Sequence, residues 1–243
     1  MTVSAARFDD AAPLEDRVAH LRAANSDLHG QELVRAMVTG EMKGRIALVS
    51  SFGAESAVLL DMVAEADPAT PVVFLDTLKL FPQTLGYRDA LIDRLGLTDV
   101  RTIQPADRDL TRHDPDGTLW SIDPDFCCHI RKTDPLDAAL SGFAGWITGR
   151  KRFHGGKRAT LPTIEGDPLT DRLKINPLAP WTPDDIARYL ADRDLPVHPL
   201  VDDGFLSIGC QPCTRRVGPG EDVRAGRWAW LDKTECGIHG EGI

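Results

Sequence analysis

The chain lacks the features that mark membrane, secreted or nucleic-acid-binding proteins. No apolar run approaches the roughly 20 residues that a membrane span needs, and the start has neither a basic nor an apolar signal region. Basic residues are outnumbered, with 28 Lys and Arg against 37 Asp and Glu and a net charge of −9. Phosphate neutralisation normally needs a basic surface, so nucleic-acid binding is disfavoured, although a local basic pocket stays open. We expect a cytoplasmic protein with no membrane or nucleic-acid partner.

Cysteine is also scarce, with five residues in 243, but its arrangement is informative. Four cysteines form two pairs, Cys127 with Cys128 and Cys210 with Cys213, while Cys236 stands alone. In a reducing cytosol such pairs favour a metal over a disulfide, and four thiolates suit zinc or an iron–sulfur cluster. Adjacent cysteines are awkward for one tetrahedral ion, because neighbouring side chains on a helix diverge. A cluster is therefore favoured, zinc stays open, and Cys236 is a separate reactive thiol.

Hydrophobic periodicity predicts an α/β fold. Helical spacing predicts helices over residues 14–24, 31–42, 55–66 and 82–95, and short apolar runs predict strands over 45–50, 71–76, 99–103, 145–149 and 173–176. Alternation of this kind implies a mostly parallel sheet with helices on both faces. Frequent glycines after about residue 199 predict an irregular, mobile tail. We expect an N-terminal helical segment (1–44), a nucleotide-binding α/β domain (45–200) and a C-terminal tail (201–243).

Two predicted strands end in segments that suit a nucleotide. Residues 50–56 (SSFGAES) combine small residues, serine hydroxyls and a helix start, which together can cradle a phosphate. The same segment could simply be a serine-capped helix start. Asp76, at the end of the second strand, could reach a ribose or adenine edge, or could merely cap its own loop.

Positive charge is concentrated in two places of an otherwise acidic chain. Arg131 and Lys132 follow the first cysteine pair, and residues 150–158 (RKRFHGGKR) mix arginine and lysine with glycine. Arginine offers bidentate donors to phosphate or sulfate, so these runs suit a compact anion. A solvated basic face is the usual alternative, but the flanking glycines favour a binding loop.

Together these motifs resemble the assimilatory adenylyl-sulfate (APS) reductases, the iron–sulfur branch of the sulfonucleotide (PAPS/APS) reductases. The resemblance runs in order from about residue 45 to the tail. Its segments are residues 50–56, LDT and FP at 75–82, CC, RK and PL at 127–136, TGRKR at 148–152, NPL at 176–178, IGCQPCT at 208–214, GED and RAGRW at 220–228, and ECGIH at 235–239.

The resemblance implies an adenine nucleotide alpha hydrolase-like (PP-loop) fold, thioredoxin as electron donor, and a 4Fe–4S cluster on Cys127, Cys128, Cys210 and Cys213. It predicts Cys236 and His239 as catalytic residues. A thiolate is the soft nucleophile that attack on a sulfonyl sulfur needs, so the chemistry of Cys236 fits. The predicted substrate-binding residues are Ser50, Ser51, Phe52, Gly53, Ser56, Asp76, Thr77, Lys132, Arg150, Arg152, Arg224 and Arg227.

Some positions depart from the family pattern, and some alternatives stay open. Leu78 stands where glycine is common, His154 where glutamine is common, and Ala229 interrupts a tryptophan-rich stretch. The substrate could be the 3′-phosphorylated nucleotide (PAPS). The chain could also be an ATP-dependent tRNA thiolation enzyme, although its loop lacks the Ser-Gly-Gly-x-Asp-Ser pattern, or a zinc-stabilised binding module. The sequence leaves open whether it forms a homo-oligomer.

Overall fold

The computed structural model of the protein describes residues 11–230, 233 and 235–239. Its centre is a six-stranded sheet in the order β3-β2-β1-β4-β6-β5. Every neighbouring pair is parallel except β5 with β6, which confirms the predicted mostly parallel sheet. The strands are β1 (Ile46–Ser50), β2 (Val72–Leu75), β3 (Val100–Ile103), β4 (Gly145–Ile147), β5 (Ile164–Asp167) and β6 (Arg172–Ile175).

Helices cover both faces of the sheet, as expected for buried parallel strands. Side chains alternate along β1, so that Ile46 and Leu48 join the large core on one face while Ala47 joins a smaller core on the other, with Trp146. The helices in the described residues are α1 (Leu14–Ala24), α2 (Gly30–Arg35), α3 (Ser56–Ala66), α4 (Pro82–Leu95), α5 (Asp107–His113), α6 (Leu119–Ile122), α7 (Pro124–Cys128), α8 (Asp134–Ala139) and α9 (Pro183–Asp192).

The N-terminal helices share the core of the sheet. Leu21 of α1 and Leu33 of α2 are fully buried in the larger hydrophobic cluster. The helix predicted over residues 31–42 is α2 followed by a π-helical turn, Ala36–Glu41. The three predicted segment boundaries stay predictions.

The predicted set lacks β5 and the helices α5 to α9 of the described structure. β5 pairs antiparallel with β6 and closes one edge of the sheet. α9 begins at a capping box, in which the Thr182 hydroxyl accepts from the Asp185 backbone N–H and the Asp185 carboxylate accepts from the Thr182 N–H. α9 packs on α3 and completes the larger core.

The chain order places a crevice beside β1. From β1 the chain crosses to β2 and β3 on one side, and it returns later to place β4 on the other. At such a switch point the loops at the strand carboxyl ends diverge and leave room for a ligand. The described part of the tail, after residue 200, has no α-helix or strand, only isolated bridges and the 3₁₀ turns Gln211–Cys213 and Gly237–His239. This confirms the predicted irregularity, while mobility stays a prediction. Within the described residues, no helix is both long and apolar enough to span a membrane.

Candidate active site and cysteine centre

An open cavity of about 240 Å³ lies at the carboxyl ends of β1, β2 and β4. The loop after β1 forms its floor, and the tail forms one wall through Arg224, Arg227 and the Glu235–His239 segment. The tail reaches this position because Gln211 donates its backbone N–H to the Lys79 carbonyl at 2.7 Å. The first strand-to-helix turn and the last described residues therefore face the same space.

The floor loop is held in a strained conformation. Phe52 has a φ of +46°, unusual for a bulky residue, and its ring is fully buried edge-on against Phe74. The Ser50 hydroxyl accepts from the Phe52 N–H at 3.2 Å, and the Ser56 hydroxyl accepts from the Gly53 N–H at 2.8 Å. Burial of Phe52 thus fixes a turn that aims the N-terminus of α3 at the cavity.

Positive charge crowds around the cavity. Burial and the neighbouring Arg158 lower the pKa of both Arg150 and Arg224 to about 10. Positive charges at close range lower one another's pKa in this way unless a bound anion compensates them. Among the described residues, six lysine and arginine side chains but only two carboxylates line the cavity: Lys132, Arg150, Lys151, Arg158, Arg224 and Arg227, with Glu55 and Glu235.

Several of these cations are fixed by neighbouring residues. Arg150 pairs with Glu165 of β5 and donates to the Asn176 side chain at 3.3 Å. Arg227 lies 4.3 Å from the centre of the Trp228 ring and donates to the Ile208 carbonyl at 3.3 Å. A Cβ at Gly209 would overlap the Arg227 guanidinium, so a side chain there would displace this group.

Glu55 is held in its charged form. It lies 2.7 Å from the Lys151 ammonium and 3.6 Å from the His154 ring. Burial acts to raise the pKa of Glu55, but the hydrogen bonds and charges of His154 and Lys151 outweigh it and bring the pKa to about 2. At neutral pH the negative charge of Glu55 therefore compensates the positive charge of Lys151.

Cys236 lies in this cavity as a partly buried free thiol. A hydrogen bond with the Cys128 side chain, together with the charges of Lys132 and Arg227, holds the pKa of Cys236 well below its usual range despite burial. A Cys128 that binds a metal has no thiol proton to donate, so Lys132, the Ile238 backbone N–H and Arg227 are the stabilising groups that remain. The site is thus built to keep Cys236 as a thiolate.

His239 faces the same cavity from the far side of Cys236. Its ring stacks on Trp146 at 5.7 Å between centres and 10° between planes. Burial, and then the charges of Arg150 and Arg158, hold the pKa of His239 well below its usual range, so its ring is neutral. Its Nδ1 is buried without a hydrogen-bond partner among the described residues.

The four paired cysteines line one second cavity, next to the first. All four are buried, and burial raises the pKa of Cys127 to about 11, so this thiol stays protonated at neutral pH unless a soft metal binds it. No group of three or more His, Cys, Asp or Glu side chains in the described residues is arranged around a single ion. Four thiols contributed by two separate segments are a donor set that suits zinc or an iron–sulfur cluster. Thr77 fixes one donor, since its hydroxyl lies 3.2 Å from the Cys210 sulfur.

Lys132 borders both cavities. Burial opposes its charge, but the sulfurs of Cys210, Cys236 and Cys128 outweigh burial and raise the pKa of Lys132 above its usual range. The π-helical turn His129–Thr133, directly after the first cysteine pair, brings Lys132 to this position. The Lys132 ammonium thus lies between the four paired cysteines, Cys236 and the other lysine and arginine side chains that line the first cavity.

Comparison with known proteins assigns the family. The phosphoadenosine phosphosulfate reductase domain matches residues 45–216, which is most of the chain. The chain belongs to this family. The match runs from the start of β1 through the second cysteine pair, and it confirms the family predicted from the sequence.

Relatives of this phosphoadenosine phosphosulfate reductase domain match nearly the whole chain. A Mesorhizobium japonicum protein named adenosine 5'-phosphosulfate reductase is 48% identical over 97% of this chain and 94% of its own length. A Streptomyces coelicolor protein of the same name is 41% identical over 81% of this chain and 82% of its own length. The chain is thus similar to proteins of one name in two distant bacteria.

Solved structures support the fold. A phosphoadenylyl-sulfate (PAPS) reductase from Candida auris superposes with a TM-score of 0.70 at 26% identity, over 83% of this chain and 97% of its own. Yeast FAD synthetase superposes with a TM-score of 0.52 at 17% identity, over 84% of this chain and 73% of its own, and shows the fold alone. The predicted adenine nucleotide alpha hydrolase-like (PP-loop) fold is confirmed.

Most of the predicted site residues of this reductase-family chain meet at the two cavities, and three do not line either one. Phe52 is fully buried in the core, Asp76 accepts from the Leu78 N–H and the Gln104 amide, and Arg152 donates to the Leu161 carbonyl at 2.8 Å. The residues that line the cavities are Ser50, Ser51, Gly53, Ser56, Thr77, Lys132, Arg150, Arg224, Arg227, Cys236 and His239, with Cys127, Cys128, Cys210 and Cys213 at the cysteine centre.

Sequence reasoning missed other residues that line the nucleotide-sized cavity. Arg158 is buried there, whereas the exposed Arg152 was the predicted ligand from the same basic run. Glu55 and Glu235 also line it, and each lies within a motif without being singled out. A carboxylate inside a segment that is predicted to line an anion site is the signal that could have found them, since its charge needs a partner.

Proposed function

We propose that the chain reduces adenosine 5'-phosphosulfate to sulfite and AMP through an S-sulfonate on Cys236. The observation that carries the proposal is the position of Cys236: a lone thiol, stabilised as thiolate, in a cavity lined by six cations and by a strand-to-helix loop. The names of the relatives that cover nearly the whole chain support the same reaction. The enzyme class is an oxidoreductase acting on a sulfur group.

The first step is nucleophilic attack at sulfur. The Cys236 thiolate forms an S–S bond with the sulfonyl sulfur, the S–O bond to the nucleotide phosphate breaks, and AMP leaves with that oxygen and its electron pair. Lys132, Arg224 and Arg227 line the cavity where negative charge on the sulfonyl oxygens and on the phosphate needs stabilisation. The neutral His239 ring lines the same cavity as the nucleophile.

The second step restores the thiol, with thioredoxin as the dithiol reductant. A thioredoxin thiolate attacks the Cys236 sulfur, sulfite leaves, and a mixed disulfide forms. The second thioredoxin cysteine then displaces Cys236, so two electrons pass from thioredoxin to the sulfur that leaves as sulfite. Cys236 must leave the cavity to be attacked, and the tail glycines allow such a movement.

A 4Fe–4S cluster held by Cys127, Cys128, Cys210 and Cys213 is part of the proposal. When bound, it would supply a negatively charged centre that joins the two cysteine segments and faces the Lys132 ammonium. The buried thiols and their two-segment arrangement support this assignment. Anaerobically purified protein should be brown with broad visible absorption, and a colourless protein containing one zinc would contradict it.

The decisive experiment is mass spectrometry of protein mixed with APS without any reductant. We expect a sulfo adduct on the peptide that carries Cys236, with one AMP released per adduct, and no adduct in Cys236→Ser. Addition of reduced thioredoxin should then release sulfite. Unmodified Cys236 alongside released sulfite would overturn the mechanism.

PAPS is the second candidate substrate, since the family description and the Candida auris reductase name that nucleotide. Single-turnover adduct formation with APS and with PAPS, compared at equal concentrations, distinguishes the two. We expect APS to react faster, as the names of the more similar relatives suggest. The tRNA thiolation alternative is set aside, because the matching relatives are named reductases.

A further inference from the structure

Cys236 has an ionic contact on one side and an apolar contact on the other. On its N-terminal side, both carboxylate oxygens of Glu235 accept from Arg158, each at 2.6 Å. On its C-terminal side, Ile238 packs on the smaller hydrophobic core and His239 stacks on Trp146. The position of the sulfur therefore depends on two contacts of different physical kind.

The ionic contact joins two parts of the chain that are far apart in sequence. Arg158 lies in the loop after β4, and a second arginine, Arg224, approaches the same Glu235 carboxylate at 3.5 Å. Bidentate arginine–carboxylate pairs are among the stronger and more directional ion pairs in proteins. The arginines of this pair are largely shielded from water, with side-chain exposures of 11% for Arg158 and 15% for Arg224.

Arg158 is the fixed side of this contact. It ends a 3₁₀ turn, Gly156–Arg158, that begins at the second of two glycines with positive φ, and its backbone N–H donates to the Gly155 carbonyl at 3.0 Å. The His154 ring lies 3.3 Å from its guanidinium. Glu235 belongs to the irregular tail, so the residue positioned by the pair is Glu235.

We infer that Glu235 is a positioning residue for Cys236, which holds the sulfur in the nucleotide cavity through its ion pair with Arg158. The inference rests on the proposed function, since it assigns Glu235 a part in the S-sulfonate step. Glu235 does not touch the reacting atoms in this role. Removal of its charge should loosen the tail while leaving the cation cluster with more net positive charge for the substrate.

Alkylation of Cys236 tests the contact without any substrate. Anaerobically purified protein, with its four other cysteines at the metal centre, is treated with iodoacetamide at fixed pH, and modification of Cys236 is followed by mass spectrometry. We expect Glu235→Gln to react about tenfold faster, because the tail opens more often. Glu221→Gln is the matched control: Glu221 forms an exposed ion pair with Arg215 at 2.9 Å in the same tail, outside the cavity. Its rate should stay at that of the wild type.

Arg158→Gln separates position from charge. If only local charge mattered, loss of the positive Arg158 would destabilise the Cys236 thiolate and slow alkylation. Loss of the negative Glu235 would stabilise the thiolate and speed alkylation. A positioning contact predicts faster alkylation in both variants. Faster reaction of Glu235→Gln with slower reaction of Arg158→Gln would mean that charge alone is at work, and would overturn the inference. Wild-type rates in both variants would overturn it as well.

The reaction itself gives the second readout. At saturating APS, Glu235→Gln should form the sulfo adduct about tenfold more slowly, and Glu235→Asp should recover part of the loss. In a Cys236→Ser background, Glu235→Gln should bind AMP at least as tightly, which a general collapse of the site would not allow. If wild-type protein forms no adduct, the proposed function fails and the alkylation result still stands. An unchanged adduct rate in Glu235→Gln contradicts the positioning role alone.

Discussion

The α/β core and the tail over residues 201–239 are held by different forces. The core buries whole rows of side chains, and residues such as Leu48, Leu60 and Phe74 are almost inaccessible to water. The described tail buries only small clusters, one around Cys210, Cys213 and Trp228 and one that packs Ile208 on Phe81. The comparison separates a region stabilised by apolar burial from one stabilised by specific polar contacts.

The tail is held mainly by contacts of charged side chains and of cysteine sulfurs. Arg224 and Arg227 both lie against the Trp228 ring, and Lys233 pairs with Asp125 on the helix that carries the first cysteine pair. Such contacts are directional and individually weak, so they can break one at a time. A nucleophile that must meet first a nucleotide and then a protein needs a support of this kind, whereas the cavity floor needs a rigid one.

The largest expected effect comes from the group that joins the two regions. Lys132→Met removes the ammonium that borders both cavities, and we expect formation of the S-sulfonate to slow about 100-fold, as for loss of a transition-state donor. Lys132→Arg should retain part of the rate, because the charge stays. Single-turnover mass spectrometry measures both. Lys43→Met, at an exposed position ahead of β1, is the control, and an equal loss there would show that the effect is general.

Two glycine substitutions test whether core and tail unfold as one unit. A Cβ at Gly145 would lie 2.7 Å from the Leu173 carbonyl oxygen, so Gly145→Ala should force β4 from β6 and lower the free energy of unfolding by at least about 3 kcal/mol. A Cβ at Gly226 would lie 2.3 Å from the Arg215 carbonyl oxygen. Gly226→Ala should speed alkylation of Cys236 and shift core unfolding by less than about 1 kcal/mol. If both variants change the free energy of unfolding equally in a urea titration, the core and the tail unfold as one cooperative unit.

Sequence reasoning succeeded where local signals and the fold agree. The bounds of α1 and α4 match the predicted residues 14–24 and 82–95, because apolar periodicity, Pro82 and Gly96 all mark the same ends. β5 was missed, since its IEGD sequence has a single apolar residue. Its place depends on α1, whose Leu14 side chain packs so closely that a Cβ at Gly166 would lie 2.9 Å away. That packing is not visible in a local pattern.

Residue types at the site were predictable, but the choice between neighbours was not. The basic run at 150–158 indicated an anion site, yet only the fold shows that Arg158 enters the cavity while Arg152 turns to the Leu161 carbonyl. The pair of Glu235 with Arg158 spans 77 residues, so sequence alone could not connect them. The α9 capping box, by contrast, is a local signal that was present and not used.

The pH dependence of the free energy of unfolding tests the boundary between the α/β core and the tail. His198 is fully buried just ahead of the tail, and burial lowers its pKa from 6.5 to about 4. The unfolded chain binds the proton first, so stability is full above about pH 6.5 and falls by up to about 3 kcal/mol as the pH drops towards 4. Urea titrations across this range should show the loss. The exposed variant His113→Gln should keep that slope, and His198→Asn should flatten it. An unchanged slope in His198→Asn would assign the loss to other groups.

The smallest effects come from two glycines of α4, both with open space around them. Gly86 lies inside the helix on its exposed side, so Gly86→Ala should raise the free energy of unfolding by about 0.5–1 kcal/mol. Gly96 is the C-cap with a φ of +63°, so Gly96→Ala should lower it by about 1 kcal/mol. Neither change should alter alkylation of Cys236, because neither glycine lines the cavity that holds its sulfur. If the tail responds to these small shifts in core stability, the sulfur is held by the fold as a whole and the ionic contact of Glu235 is secondary.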